Sequence, residues 1–143
     1  MRTRKRQIID RLMAGMNAGN QEIFAEIYHE DAEIDWPQFG ERIFGASDRR
    51  AVFASLPIKP DVHIRRIVGD GDLWIAEALL GYDGVEHWGV MIMAFRGDKI
   101  IRETSYWAEP RPGGAGWKSR WVHPLEAISR VPEPEDLDEA QDR

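Results

Sequence analysis

Apolar and polar positions along this chain follow two periods in turn. Over residues 5–17, Ile8, Ile9, Leu12, Met13 and Met16 recur every three or four positions, the spacing of one face of an amphipathic helix. Gly19 and Asn20 suit its C-terminal cap. A second helix is predicted over 21–28, with Ile23, Phe24, Ile27 and Tyr28 on its apolar side. The period drops to two at residues 31–36, where Ala32, Ile34 and Trp36 alternate with Glu33 and Asp35. This predicts a short strand, ended by Pro37, which has no N–H for a ladder. Residues 39–45 read as a loop or irregular edge. Ser47 is the expected N-cap of a third helix with Ala51, Val52, Phe53 and Leu56 on its apolar side, closed by Pro57 and Pro60.

Four strands follow, over 62–68, 73–82, 85–95 and 100–107, separated by Gly- and Asp-rich turns. The order of helix, helix, strand, helix and antiparallel meander is an α+β pattern, with the helices on one face of a curved sheet. Such a sheet wraps partway into a cone, whose plugged interior can hold a small-molecule pocket. Asp83-Gly84 is a two-residue hairpin turn that sets the register. If Tyr82 pairs with Val85, then Leu80 faces His87, Ala78 faces Gly89 and Ala76 faces Met91. Those small residues leave room on the inner face.

The other face carries Ile75, Glu77, Leu79, Trp88, Val90 and Ile92, too apolar for open solvent. The expected cover is a second copy of the chain, in a homodimer anchored by Trp88; the alternative is a C-terminal arm carrying Trp117 and Trp121. The 96–99 turn also leaves two registers. A three-residue bulged turn puts Ile101, Glu103, Ser105 and Trp107 inward. A two-residue turn puts Arg102, Thr104 and Tyr106 there instead. The first is favoured.

Composition narrows the function classes. The chain has 143 residues and no cysteine, which excludes disulfides and thiolate chemistry and fits a cytoplasmic protein. No apolar run is long enough for a membrane span. The net charge is −6. Residues 133–143 hold six acids and one base, so they carry −5 and residues 1–132 carry −1. A nearly neutral body disfavours nucleic acid as a partner. The expected organisation is a single domain over 1–131, with its core at about 5–110 and an arm at 111–131, then a disordered acidic tail at 132–143.

Three landmarks carry a family resemblance: Met16-Asn-Ala-Gly-Asn20 with Ile27-Tyr-His-Glu-Asp-Ala32 after it, Asp35-Trp-Pro37, and the stretch from Phe95-Arg-Gly-Asp-Lys99 to Tyr106-Trp107. Together they resemble the nuclear transport factor 2-like superfamily and, within it, the SnoaL-like group. The resemblance implies a cone-shaped fold with a curved, mostly antiparallel sheet and N-terminal helices on its concave side. Functionally it implies a scaffold shared by isomerases, cyclases, epoxide hydrolases, dehydratases and non-catalytic modules. The known catalytic sets are not carried over. Trp36 stands where ketosteroid isomerases have their general base, and that family's oxyanion-hole acid and tyrosine fall near Met91 and Leu12. Ser105 and Met91 stand near the aspartate and histidine of SnoaL-type cyclases. Ser105 is also near the aspartate of limonene epoxide hydrolases.

The candidate chemistry is therefore this chain's own. Glu103, buried near Met91 and Trp107, is the candidate general base or acid. The bland reading is a structural carboxylate paired with Arg102 or Arg66. His87, at the cavity mouth, is the second candidate, as proton relay or polar contact, against a histidine merely held by hydrogen bonds. Strand spacing puts the two more than about ten ångströms apart, at two ends of one ligand. Trp36, Tyr28, Phe53, Met91, Met93, Ser105 and Trp107 are the candidate ligand-binding residues, with Phe39 and Tyr106 completing an aromatic wall. Asp35 is expected to be solvated. No spacing points to a metal site, and no cofactor is implied. The expected partner is a small hydrophobic or aromatic molecule. Its chemistry would be cofactor-free isomerisation, cyclisation, hydration or dehydration. The alternative is a non-catalytic ligand-binding or dimeric assembly module.

Overall fold

In a computed structural model, which describes residues 3–111, 120–123 and 125, helix α1 (Arg4–Ala18) starts at Thr3, whose hydroxyl accepts from the Arg6 N–H. It stops at Gly19, held left-handed at φ 68° as a C-cap requires. Helix α2 (Glu22–Ile27) runs straight into strand β1 (Tyr28–Trp36). That strand begins three residues before the alternating pattern does. The reason is a bulge, since Tyr28 pairs with Ile100 but Glu33 already pairs with Arg102.

Pro37 ends β1 as expected, opening a 3-10 turn (Pro37–Phe39). Beyond it the expected loop is a short edge strand, β2 (Glu41–Phe44), antiparallel to β1. Gly40, at φ 67°, turns the chain back. Helix α3 (Gly45–Ala54) begins two residues before Ser47, which therefore lies inside the first turn and is not the cap. Phe44 holds the cap position with no side-chain bond.

Strands β3 (Asp61–Asp70), β4 (Leu73–Tyr82), β5 (Val85–Arg96) and β6 (Lys99–Ala108) complete a six-stranded sheet in the order β2-β1-β6-β5-β4-β3. Among the described strands only the β1–β6 pairing is parallel. The α+β architecture is as expected. Helix residues Ile8, Ile9, Leu12, Ile23 and Ile27 pack on the inner sheet residues Ala76, Ala78, Met91 and Met93 in one core.

The Asp83-Gly84 turn gives the anticipated pairs, Leu80 with His87 and Ala76 with Met91. Both turn residues have positive φ, the requirement of a two-residue hairpin that matches strand twist. The next hairpin differs. Its turn has two residues, with Arg96 opposite Lys99, and the bulge sits one step inside the strand. Phe95 pairs with Ile100 and Ala94 with Arg102, so Ile101 is the extra residue. That shift returns Glu103, Ser105 and Trp107 to the inner face. Ile100, fully buried, takes the inward place expected of Ile101.

On the outer face, Leu79 is buried, while Ile75, Trp88, Val90 and Ile92 remain partly accessible. Arg65 and Arg66 both pair with Glu77, and the Arg65 guanidinium lies 5.6 Å from the Trp88 ring. Of the C-terminal arm, the alternative cover for this face, Trp121 is 66% exposed. Trp117 lies outside the described residues, as do the expected tail and most of 111–131.

Candidate functional site

Where the helices diverge from the sheet, the cone holds a pocket of about 240 Å3. Every layer of the fold contributes to it. Trp36 comes from the end of β1, Phe39 from the 3-10 turn, Met16 and Phe24 from α1 and α2, and Phe53 from α3. Leu80 and Tyr82 on β4, His87 and Met91 on β5, and Glu103 and Trp107 on β6 form the sheet side. Trp107 lies flat across Gly89, where a β-carbon would meet its ring at 2.2 Å. The glycine thus makes room for the indole, and the Trp107 backbone N–H donates to the Gln38 side-chain oxygen at 2.7 Å. A second cavity of about 200 Å3 shares Phe24 and Phe53 with the first. Those two rings stack with centroids 4.8 Å apart.

Glu103 is the one carboxylate among the described lining residues. The bulge at Ile101 aims it inward, opposite Met93. The Tyr28 hydroxyl donates to its Oε1 at 2.6 Å, and the Ser105 hydroxyl donates to its Oε2 at 3.2 Å. Burial pushes the Glu103 carboxyl above the usual carboxylate range, with the two hydroxyls pulling the other way. Burial and the neighbouring carboxylate raise Tyr28 well above an ordinary phenol, and the Arg49 guanidinium opposes them. Neither arginine considered as a partner reaches Glu103. Arg102 pairs with Glu33 at 2.9 Å and Arg66 with Glu77 at 3.1 Å. The carboxylate is held by neutral hydroxyls instead.

His87 sits at the other end of the pocket. Its Nδ1 is buried without a hydrogen-bond partner, and its Nε2 is 3.9 Å from the exposed Glu109 carboxylate, beyond hydrogen-bond reach. Asp35 is bound to Arg42, which holds its carboxyl below the usual range. Among the described residues, no three of His, Asp and Glu gather closely enough to hold a metal ion, and no helix is long and apolar enough to cross a membrane.

Of the candidate residues, Glu103, His87, Tyr28, Trp36, Phe53, Met91 and Trp107 line one pocket. Met93 and Ser105 do not. Met93 is fully buried in the core, and Ser105 lies behind the wall as a support for Glu103. Tyr106 points outward from β6 and is 45% exposed. Sequence reasoning missed Met16 and Phe24 as wall residues, although both lie on helix faces it had identified as apolar. It also missed Arg49, which is buried beneath α3. Nothing in the run Ser47-Asp-Arg-Arg50 sets that arginine apart from Arg50.

Residues 9–103 match the model of the SnoaL-like domain family. An NTF-2 like protein of unknown function from Burkholderia xenovorans LB400 superposes with a TM-score of 0.79 at 36% identity. The match covers 86% of this chain and 96% of that one. A provisionally named ketosteroid isomerase from Kribbella flavida DSM 17836 gives a TM-score of 0.78 at 22% identity, over 90% of this chain and 94% of that one. An LEH-like epoxide hydrolase from M. tuberculosis gives 0.63 at 15% identity, over 73% and 82% of the two chains. The last two likenesses concern the fold. No curated protein matches the sequence.

Proposed function

The chain belongs to the SnoaL-like domain family, and from that premise we propose that it binds a small hydrophobic or aromatic molecule in its cone and acts on it by acid–base chemistry centred on Glu103. One observation carries the reading: a buried carboxylate, raised by its surroundings, faces an otherwise apolar pocket. Burial raises such a carboxyl above the ordinary carboxylate range, which makes it a stronger base than an exposed one. Each Glu103 oxygen keeps a lone pair beyond its hydroxyl donor. The ionised group takes a proton from an activated carbon or hydroxyl of the ligand. The resulting acid returns it at a second position, the step shared by isomerisation, dehydration and cyclisation. His87, which lines the far end of the pocket, binds a polar group there. The aromatic walls set the plane of the ligand. The reaction needs no organic cofactor in this scheme. Two chains pair through the outer face bearing Trp88, in keeping with the apolar residues left partly accessible there.

The second reading is a non-catalytic ligand-binding or assembly module. It is favoured by the engagement of both Glu103 oxygens by hydroxyls and by Trp36, Met91 and Ser105 at the positions of the relatives' catalytic groups. Proton exchange separates the two. Hydrophobic cyclic ketones, incubated with the protein in D2O and followed by NMR, should exchange their α-protons. Glu103→Gln should slow that exchange by about 10²-fold or more while ketone binding persists. Exchange that is absent, or that is equal in the variant, leaves the binding-module reading.

A further inference from the structure

We propose that Arg49 is an electrostatic positioning residue that holds Glu103 in its carboxylate form through the ring and hydroxyl of Tyr28. The proposal rests on Glu103 being the acid–base group, but its test reads the carboxyl directly and needs no turnover.

Arg49 is 2% exposed. Its α3 helix drives it into the bulged start of β1, where Nη1 donates to the His29 carbonyl over a long 3.4 Å. Its Nε is buried without a partner. Among the described residues no carboxylate forms an ion pair with it. A buried cation so poorly satisfied is costly unless the interior supplies compensating charge. The buried charged side chains among the described residues are Arg6, Arg49 and Glu103. Arg6 pairs with Asp10 at 3.2 Å. Glu103 is thus the one buried acid in this set, and Tyr28 stands between it and Arg49. The guanidinium carbon lies 5.1 Å from the centre of the Tyr28 ring, and the Tyr28 hydroxyl donates to Glu103 at 2.6 Å.

The physics of that line is cooperative. A cation on the ring is attracted by its π electrons and draws density from the phenol, which makes the O–H a stronger donor. A stronger donor favours the ionised acceptor over the neutral acid. The direction agrees with the effect of Arg49 on the Tyr28 hydroxyl, which is to lower its pKa against burial. The other groups facing Glu103 do not supply this charge. Ser105 is neutral, Met93 on β5 and Ile34 on β1 are apolar, and His87, the titratable pocket residue of β5, lies at the other end of the pocket. Met16, Phe24 and Phe39, from α1, α2 and the 3-10 turn, are uncharged. Arg50, beside Arg49 in sequence, is exposed.

The rival account is that Arg49 merely caps the His29 carbonyl, a task any neutral donor performs. Full-length protein labelled with 13C at glutamate side-chain carboxyls distinguishes the two. The Glu103 signal is assigned by its loss in Glu103→Gln, and its titration is followed by NMR. Arg49→Gln keeps a donor for the carbonyl and removes the charge. It should move the Glu103 midpoint up by about one pH unit, whereas Arg49→Lys leaves it near the wild-type value. Tyr28→Phe should also raise the midpoint, and adding Arg49→Gln to it should raise it little further. An unmoved midpoint in Arg49→Gln overturns the proposal, as does an equal rise with and without Tyr28. Should Arg49→Gln fail to fold, an unmoved midpoint in Tyr28→Phe overturns it alone. Normal titration shifts without proton exchange on ketones would refute the catalytic reading of Glu103 and leave the Arg49–Tyr28–Glu103 coupling standing.

Discussion

Trp88 and Gly89 are neighbours on β5, and they serve opposite faces of the sheet. Gly89 lies under the Trp107 indole inside the cone, and Trp88 lies against the Arg65 guanidinium outside it. On the inner face, residues of three helices wall the pocket, and one buried carboxylate among apolar neighbours has its ionisation shifted. On the outer face, Glu77 has two arginines and access to solvent. It is an ordinary partner in an ion network. The same residue type on two strands of one sheet, β4 and β6, differs in character because of what covers it.

The largest expected effect is at Trp88. If the outer face is a dimer contact, Trp88→Ala removes a central aromatic anchor worth about 2 kcal/mol or more. The mass measured by light scattering at micromolar concentration should fall from dimer to monomer. A wild-type monomer, or a variant of unchanged mass, sinks the proposed interface. One residue away, Gly89→Val tests the inner face. Its branched side chain would occupy the space of the Trp107 ring, so thermal unfolding should show a loss of about 1–3 kcal/mol. The pocket should also lose its ability to bind hydrophobic ketones. A stable variant with intact binding would mean that Trp107 does not depend on that glycine.

The smallest effect is the most diagnostic of burial. Glu103 is raised in the folded chain and ordinary in the unfolded one. As pH falls, the folded state takes up the proton first. The stability Glu103 contributes is therefore fully present below the ordinary carboxylate range and is lost as pH rises through its raised folded value. Glu103→Gln removes that dependence. Its melting temperature relative to wild type should be more favourable at pH 8 than at pH 4. Asp35 has the opposite sign, since Arg42 lowers it. Its contribution is present above the ordinary carboxylate range and fades as pH falls through the lowered folded value. A melting difference for Glu103→Gln that follows the Asp35 direction would show that the carboxylate is better stabilised inside the cone than outside.

Local chemistry was legible wherever a short stretch decides its own geometry. Asp83-Gly84 can adopt positive φ at both positions, so it announced the β4–β5 register and, through it, the inner placement of His87 and Met91. Pro37 and Gly19 ended their elements for equally local reasons. The candidate site was legible to the extent that strand alternation carries it. Glu103 and Trp107 reached the inner face as expected, but by a different route. The bulge at Ile101 lies beyond the turn, and only the matching of β6 to two neighbours at once decides where an extra residue goes.

The chain's own pattern carries the succession of elements, the period of each and the chemistry available: no thiols, an acid in the last strand and a set of aromatics. Tertiary structure alone decided which partners those groups meet. Tyr28 comes from the far side of the sequence to donate to Glu103, Arg102 and Arg66 go to other acids, and Arg49 is buried where Arg50 stays in solvent. The reason is physical. Backbone torsions and side-chain alternation act over a few residues. Burial, desolvation and charge pairing depend on which distant segments pack together, and no local pattern carries that information.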